Sequence, residues 1–171
     1  MKRIYLVGMP GSGKSTSGKR FAKAMGWGYA DLDKLIVLRS GKTIKQLFEQ
    51  EGEAVFRLWE QRCLHETALS TGLVVACGGG TAAWHNNMDW MLANGEVIWL
   101  NISVGELKNR IMFGKSERPL FAGLNEADIT AKIQELLQQR SPFFNRANQQ
   151  VHSEKELLHL ANVLRESFQK Y

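Results

Sequence analysis

Gly8-Met9-Pro10-Gly11-Ser12-Gly13-Lys14-Ser15 stands between the apolar run Ile4-Tyr5-Leu6-Val7 and a stretch with helical patterning that begins at Lys14. The octapeptide fits G-x-x-x-x-G-K-[ST], the pattern of a backbone loop that cradles phosphates, and a strand-to-helix junction is where such a loop works. Glycines let the chain curl so that successive N–H groups point at one anion, and the helix N-terminus adds the positive end of its dipole. Lys14 then reaches the β and γ oxygens of a nucleoside triphosphate, and Ser15 offers a hydroxyl to Mg2+. Gly11, Ser12, Gly13, Lys14, Ser15 and Thr16 are the expected ATP contacts. A chance match of four fixed positions in a chain this short is expected on the order of once in a hundred or less.

Outward from this loop, short apolar runs alternate with helical patterns. Residues 73–76 precede a helix near Asn86, and residues 97–100 precede a helix after Ser103. That rhythm belongs to a parallel α/β sheet. Ser103-x-x-Glu106 and Ser153-x-x-Glu156 read as capping boxes, and the second opens a helix with Leu157, Leu160, Ala161, Leu164 and Phe168 on one face. Residues 114–125 hold two glycines and a proline between helical stretches, which predicts a mobile surface segment and a candidate lid.

A length of 171 residues with 44% hydrophobic content predicts one domain, residues 1–171. The net charge of +5 comes without a dense basic run, and the five Trp and eight Phe fall mainly in apolar helical patterns, so no nucleic-acid partner is expected. Cys63 and Cys77 lack both metal-ligand spacing and the density of a disulfide scaffold, which predicts reduced thiols. No apolar stretch approaches the roughly 20 residues that span a bilayer or forms a signal-peptide core. The expectation is a cytoplasmic protein with no membrane partner.

Four downstream features bear on what accepts the phosphoryl group. Asp31-Leu32-Asp33 follows Tyr29-Ala30, and alternate residues at a strand end project to one side, so two carboxylates would face the phosphates. One could hold Mg2+ through water and the other could take an acceptor hydroxyl's proton; a turn with a helix cap at Asp33 explains the same residues as well. Arg57 has Glu60 one helical turn away to hold it, and a guanidinium grips a carboxylate bidentately; an ordinary surface ion pair is the competing account. Gly78-Gly79-Gly80 ends the run before it and offers backbone N–H groups at a strand's carboxyl edge, or a tight turn. Arg118, beside Pro119, and Arg140, before Ser141-Pro142, could bring cations to an anionic site.

In order and spacing these features resemble the shikimate kinase family over essentially the whole chain. The matching set is the phosphate loop, Asp31-Leu32-Asp33, Phe56-Arg57-x-x-Glu60, the triple glycine, Arg118-Pro119-Leu120, and Arg140 with Pro142 and Ala147. The resemblance implies a P-loop NTPase-like three-layer α/β sandwich: a five-stranded parallel sheet, helices on both faces and a short lid. It implies ATP-dependent phosphorylation of the 3-hydroxyl of shikimate, with Mg2+, in the route to chorismate and aromatic amino acids. It implies a monomer whose small-molecule partners are ATP and shikimate. By the same resemblance Asp33, Arg57, Gly79 and Arg140 contact shikimate, with Lys14, Asp33 and Arg118 catalytic. Arg118 and Arg110 also approach ATP, and Asp31 holds Mg2+ through water.

Three positions depart from the family pattern. Cys77 stands where Ser or Thr often precedes the glycines, Phe144 where Tyr is usual, and residues 152–154 lack an expected proline. The rival readings are another small-metabolite kinase, such as a gluconate kinase, a nucleoside monophosphate kinase, and a GTP-binding switch. The last rests on Asn86-Asn87-Met88-Asp89, which lacks the lysine of a guanine-reading motif.

Overall fold

The computed structural model describes residues 3–114 and 119–169. Five parallel strands form one sheet in the order β2-β3-β1-β4-β5: β1 (Arg3–Val7), β2 (Gly28–Asp31), β3 (Leu73–Ala76), β4 (Glu96–Leu100) and β5 (Gln149–Val151). β1 is central and buried along its whole length. Parallel strands covered on both faces read as continuous apolar runs, which is why β1, β3 and β4 were visible in the sequence. β5 has no such signature. Two of its three residues are polar and exposed, and it exists because residues 98–100 of β4 offer it a ladder.

The helices are α1 (Lys14–Met25), α2 (Leu32–Ser40), α3 (Ile44–Glu66), α4 (Asn87–Asn94), α5 (Val104–Phe113), α6 (Glu126–Phe144) and α7 (Glu154–Gln169). The crossover from β1 to β2 runs toward one edge of the sheet and the later ones run back across it. Right-handed connections therefore place α1 on one face and the helices of the later crossovers on the other. α7 returns to pack along α1, burying Leu157 and Ala161 completely and Leu160, Leu164 and Phe168 in part.

The N-terminal signals of two helices differ in detail from the sequence reading. Ser103 accepts the Glu106 N–H, but the Glu106 carboxylate pairs with Arg110 instead of closing the box. Ser153 accepts the Glu156 N–H at 3.2 Å, and the return bond from the Glu156 carboxylate goes to the His152 N–H at 2.8 Å. α3 is two helical pieces joined at Gly52, whose φ of 84° lies in the left-handed region that glycine tolerates. In the candidate lid segment, Phe121 is buried in the core and Asn125 caps α6, while residues 120 and 122–125 are exposed. Arg118 lies outside the described residues.

Arg3, a charged residue at the start of β1, is only 2% exposed. Its guanidinium ties β1 to the carbonyls of Thr67, Ala68, Ser70 and Asn94 at the amino edge of the sheet, far from the phosphate loop. No helix among the described residues is long and apolar enough to cross a membrane.

Candidate active site

The carboxyl edge of β1 delivers the phosphate loop. Gly13 takes φ 95° at the N-cap of α1, a left-handed geometry that an L side chain resists, and this turns the loop into the helix start. Lys14 is 8% exposed, and its ammonium folds over the loop to donate to the carbonyls of Gly8 (2.8 Å) and Met9 (2.9 Å) and to the Ser12 hydroxyl (3.3 Å). Ser15 and Thr16 are exposed on the first turn of α1. Arg110, from α5, donates to the carbonyls of Ser12 (2.8 Å) and Gly11 (3.3 Å), so it buttresses the loop's outer wall.

The edge of β2 delivers the two aspartates by a different route from strand alternation. Asp31 ends β2 and caps α2, accepting the Lys34 N–H at 3.4 Å, and Asp33 lies in the first turn of that helix. The cap is Asp31, not Asp33. Asp33 is exposed to water, yet protein crowds it, and a Cβ on Gly78 would lie 3.5 Å from its Oδ1. Burial, then the neighbouring carboxylates of Asp31 and Glu60, push it up from 3.8 to about 6 against the pull of Lys14 and Arg57.

α3 supplies the cationic wall. Arg57 Nη1 donates to Glu60 Oε2 at 2.7 Å, and Glu60 is completely buried, which removes the account of this pair as an ordinary surface bridge. The other Glu60 oxygen accepts the Thr81 hydroxyl, whose backbone carbonyl in turn accepts the buried Asn87 amide at 3.0 Å. Burial opposes the charge on Arg57, but Glu60 and Glu53 more than offset it. Arg57's Nε and Nη2 edge meets Glu53, an exposed carboxylate, at 3.3 and 3.1 Å.

The triple glycine fits these parts together by its lack of side chains. A Cβ on Gly78 would lie 2.5 Å from Glu60 Oε1, one on Gly79 2.8 Å from Pro10 Cδ of the phosphate loop, and one on Gly80 2.7 Å from Arg57 Nη2. None of the three has a positive φ, so close approach, and not turn geometry, accounts for them.

Arg140 arrives from the last turns of α6, a helix that runs through Pro142 and ends at Phe144. It is 9% exposed. Its Nη1 has no hydrogen-bond partner among the described residues. Burial, then the neighbouring charge of Arg57, lowers its hold on its proton.

The remaining sequence signals find structural roles. The Cys77 side chain is buried in the core against Met91, and Phe144 packs in the core against Trp99. Asn87 is wholly buried on Thr81 and Asp89 pairs with Arg146 at the start of α4, which are structural roles for the Asn86-Asn87-Met88-Asp89 stretch. His152 is held by the Asn101 carbonyl and Glu154 by Arg20. Sequence reasoning missed Glu53, Thr81 and Trp84; the last lies 5.9 Å from the Arg57 guanidinium. The spacing Glu53-x-x-x-Arg57-x-x-Glu60 carried a signal for the first, since i,i+4 and i,i+3 partners meet on a helix.

A phosphate loop, a pair of carboxylates and two convergent arginines on one edge of a parallel sheet define a P-loop phosphotransferase acting on a small anionic alcohol. The family model for shikimate kinase matches residues 10–170, and the chain belongs to the shikimate kinase family. It is 39% identical over 157 residues to the shikimate kinase of Parabacteroides distasonis, covering 92% of this chain and 91% of that one. Its fold is similar to the crystal structure of shikimate kinase from Bacteroides thetaiotaomicron, with a TM-score of 0.89 and 32% identity over 98% of both chains. It is also similar to shikimate kinase from Acinetobacter baumannii in complex with shikimate, with a TM-score of 0.85 and 30% identity, covering 99% of this chain and 94% of that one.

Proposed function

We propose that the residues gathered at this edge carry out in-line transfer of the γ-phosphoryl group of ATP to the 3-hydroxyl of shikimate. The chain is a phosphotransferase with an alcohol acceptor, and the reading adds a role for each side chain. The observation that carries it is the buried Nη1 of Arg140, which has no hydrogen-bond partner among the described residues and feels the charge of Arg57: Arg57 is held by Glu60 and Glu53, while this open donor awaits an external anion, which the shikimate carboxylate supplies.

In this mechanism Arg57, Arg140 and the Gly79 backbone hold the acceptor with its hydroxyl toward Asp33. The hydroxyl oxygen forms a bond to the γ-phosphorus, the bond from that phosphorus to the β–γ bridging oxygen breaks, and the hydroxyl proton passes to the Asp33 carboxylate. A carboxylate pushed up to about 6 is ionised at neutral pH and still basic enough to take it. Gly11, Ser12, Gly13, Lys14, Ser15 and Thr16 bind the phosphates. Lys14 leaves the loop carbonyls for the β and γ oxygens, and Arg118 adds charge on the same group by the family resemblance. Arg110 stands beside the loop on the nucleotide's path.

The Ser15 hydroxyl and the Asp31 carboxylate form an all-oxygen donor set, and the crowding of Asp31 with Asp33 makes a cation welcome there, so the site fits Mg2+. When bound, Mg2+ neutralises charge on the transferring phosphoryl group.

The test is ADP release with shikimate, gluconate and AMP as parallel acceptors. Shikimate is expected to give the highest kcat/KM; gluconate or AMP outpacing it would overturn the reading.

A further inference from the structure

Tyr29 has no assigned role, yet its phenol joins the two residues proposed to hold the divalent cation. Its hydroxyl lies 3.2 Å from Asp31 Oδ2 and 3.1 Å from the backbone carbonyl of Ser15, and it is the donor to both. The phenol has a single hydrogen, which those two acceptors share. Asp31 Oδ1 accepts the Lys34 N–H, so the carboxylate is fixed at both oxygens, once by α2 and once by Tyr29.

The ring has a built seat. Gly18 lies in the middle of α1, where glycine costs a helix roughly 0.5–1 kcal/mol relative to alanine. A Cβ at this position would lie 3.1 Å from Tyr29 Cε2 and 2.9 Å from Leu6 Cδ1. Its absence lets the Tyr29 ring lie against α1 with the hydroxyl at the helix's first turn.

We infer that Tyr29 is a positioning residue for the divalent-cation site: its hydroxyl ties the Asp31 carboxylate to the first turn of α1 and so sets the spacing between Asp31 and the Ser15 hydroxyl. The inference rests on the reading of Asp31 and Ser15 as the groups that hold the cation. Tyr29 touches neither nucleotide nor acceptor in this scheme. Its effect is confined to metal affinity.

Mn2+ titrated into protein saturated with ADP, followed by electron paramagnetic resonance, reads that affinity without turnover. Tyr29→Phe keeps the ring on its seat and removes only the hydroxyl. It is expected to weaken Mn2+ roughly tenfold, the lower end of what the partner of a metal-holding group carries, while the shikimate KM stays within about twofold. Asp31→Asn, measured in parallel, is expected to weaken Mn2+ at least as much. Unchanged Mn2+ affinity in Tyr29→Phe alongside a loss in Asp31→Asn overturns the role of Tyr29 alone. Unchanged affinity in both overturns the reading of Asp31 as well, and equal losses of Mn2+ and shikimate affinity in Tyr29→Phe show a merely structural role.

Discussion

Replacing Asp33 with Asn is expected to make the protein more stable and nearly inactive, and the stability gain carries a pH signature. In the folded protein burial, with Asp31 and Glu60, raises this carboxyl from 3.8 to about 6. A raised folded pKa means that the contribution present below the unfolded value is lost as pH climbs through the folded one, so above about pH 6 the ionised carboxylate works against folding. The rise from 3.8 to about 6 sets a ceiling of about 3 kcal/mol at 1.36 kcal/mol for each pH unit. Asp33 is exposed, so solvent screening brings the expected cost down to about 1 kcal/mol. Asn has the same shape without the charge. Urea denaturation of both proteins, free of nucleotide, should show no difference near pH 4, a gap that opens through pH 5 and 6, and a plateau of about 1 kcal/mol above pH 7. By thermal melting the plateau corresponds to roughly 2–4 °C. The kcat should fall by at least about a hundredfold, the lower end for loss of a general base. A gap of constant size at every pH, or a variant less stable than the parent at pH 7.5, would refute the claim that burial and the neighbouring carboxylates work against the ionised Asp33.

Further outcomes follow from the contacts around it. Gly80→Ala places a Cβ 2.7 Å from Arg57 Nη2 and should raise the shikimate KM by about tenfold or more with little change in the ATP KM; an unchanged KM in steady-state kinetics removes Arg57 from the acceptor site. Glu53→Gln withdraws a competing carboxylate from the Nε and Nη2 edge of Arg57 and should lower the shikimate KM by a few-fold; a higher KM would mean that Glu53 orients Arg57 instead. Lys14→Met should reduce ATP turnover by at least about a hundredfold with the far-ultraviolet circular dichroism preserved, and undiminished turnover would dismiss the phosphate loop as the nucleotide site.

What the sequence disclosed and what it hid divide along a physical line. The phosphate loop, β3 and the apolar face of α7 were legible because motif spacing and periodicity are local properties of the chain. Asp31 and Asp33 were singled out as a pair but placed on the wrong geometry, since a cap followed by a helix turn and a strand end look alike over three residues. Glu60 could not be seen as buried, because its burial depends on Gly78, Thr81 and Arg57 converging from elements far apart in sequence. Arg3 and β5 were invisible for the same reason: one is defined by carbonyls more than sixty residues away, the other by a neighbouring strand. The family resemblance supplied the acceptor, which composition and periodicity did not.

The central claim is that Arg140 and Arg57 hold the carboxylate of shikimate. Isothermal titration of shikimate and of its methyl ester into the parent protein and into Arg140→Met tests it most directly. Loss of the ligand's charge and loss of the guanidinium should each weaken binding by about a hundredfold, the scale of a desolvated charge pair, and the two together should weaken it little further. Parent protein that binds the ester as tightly as the acid, or losses that simply multiply, would contradict the account.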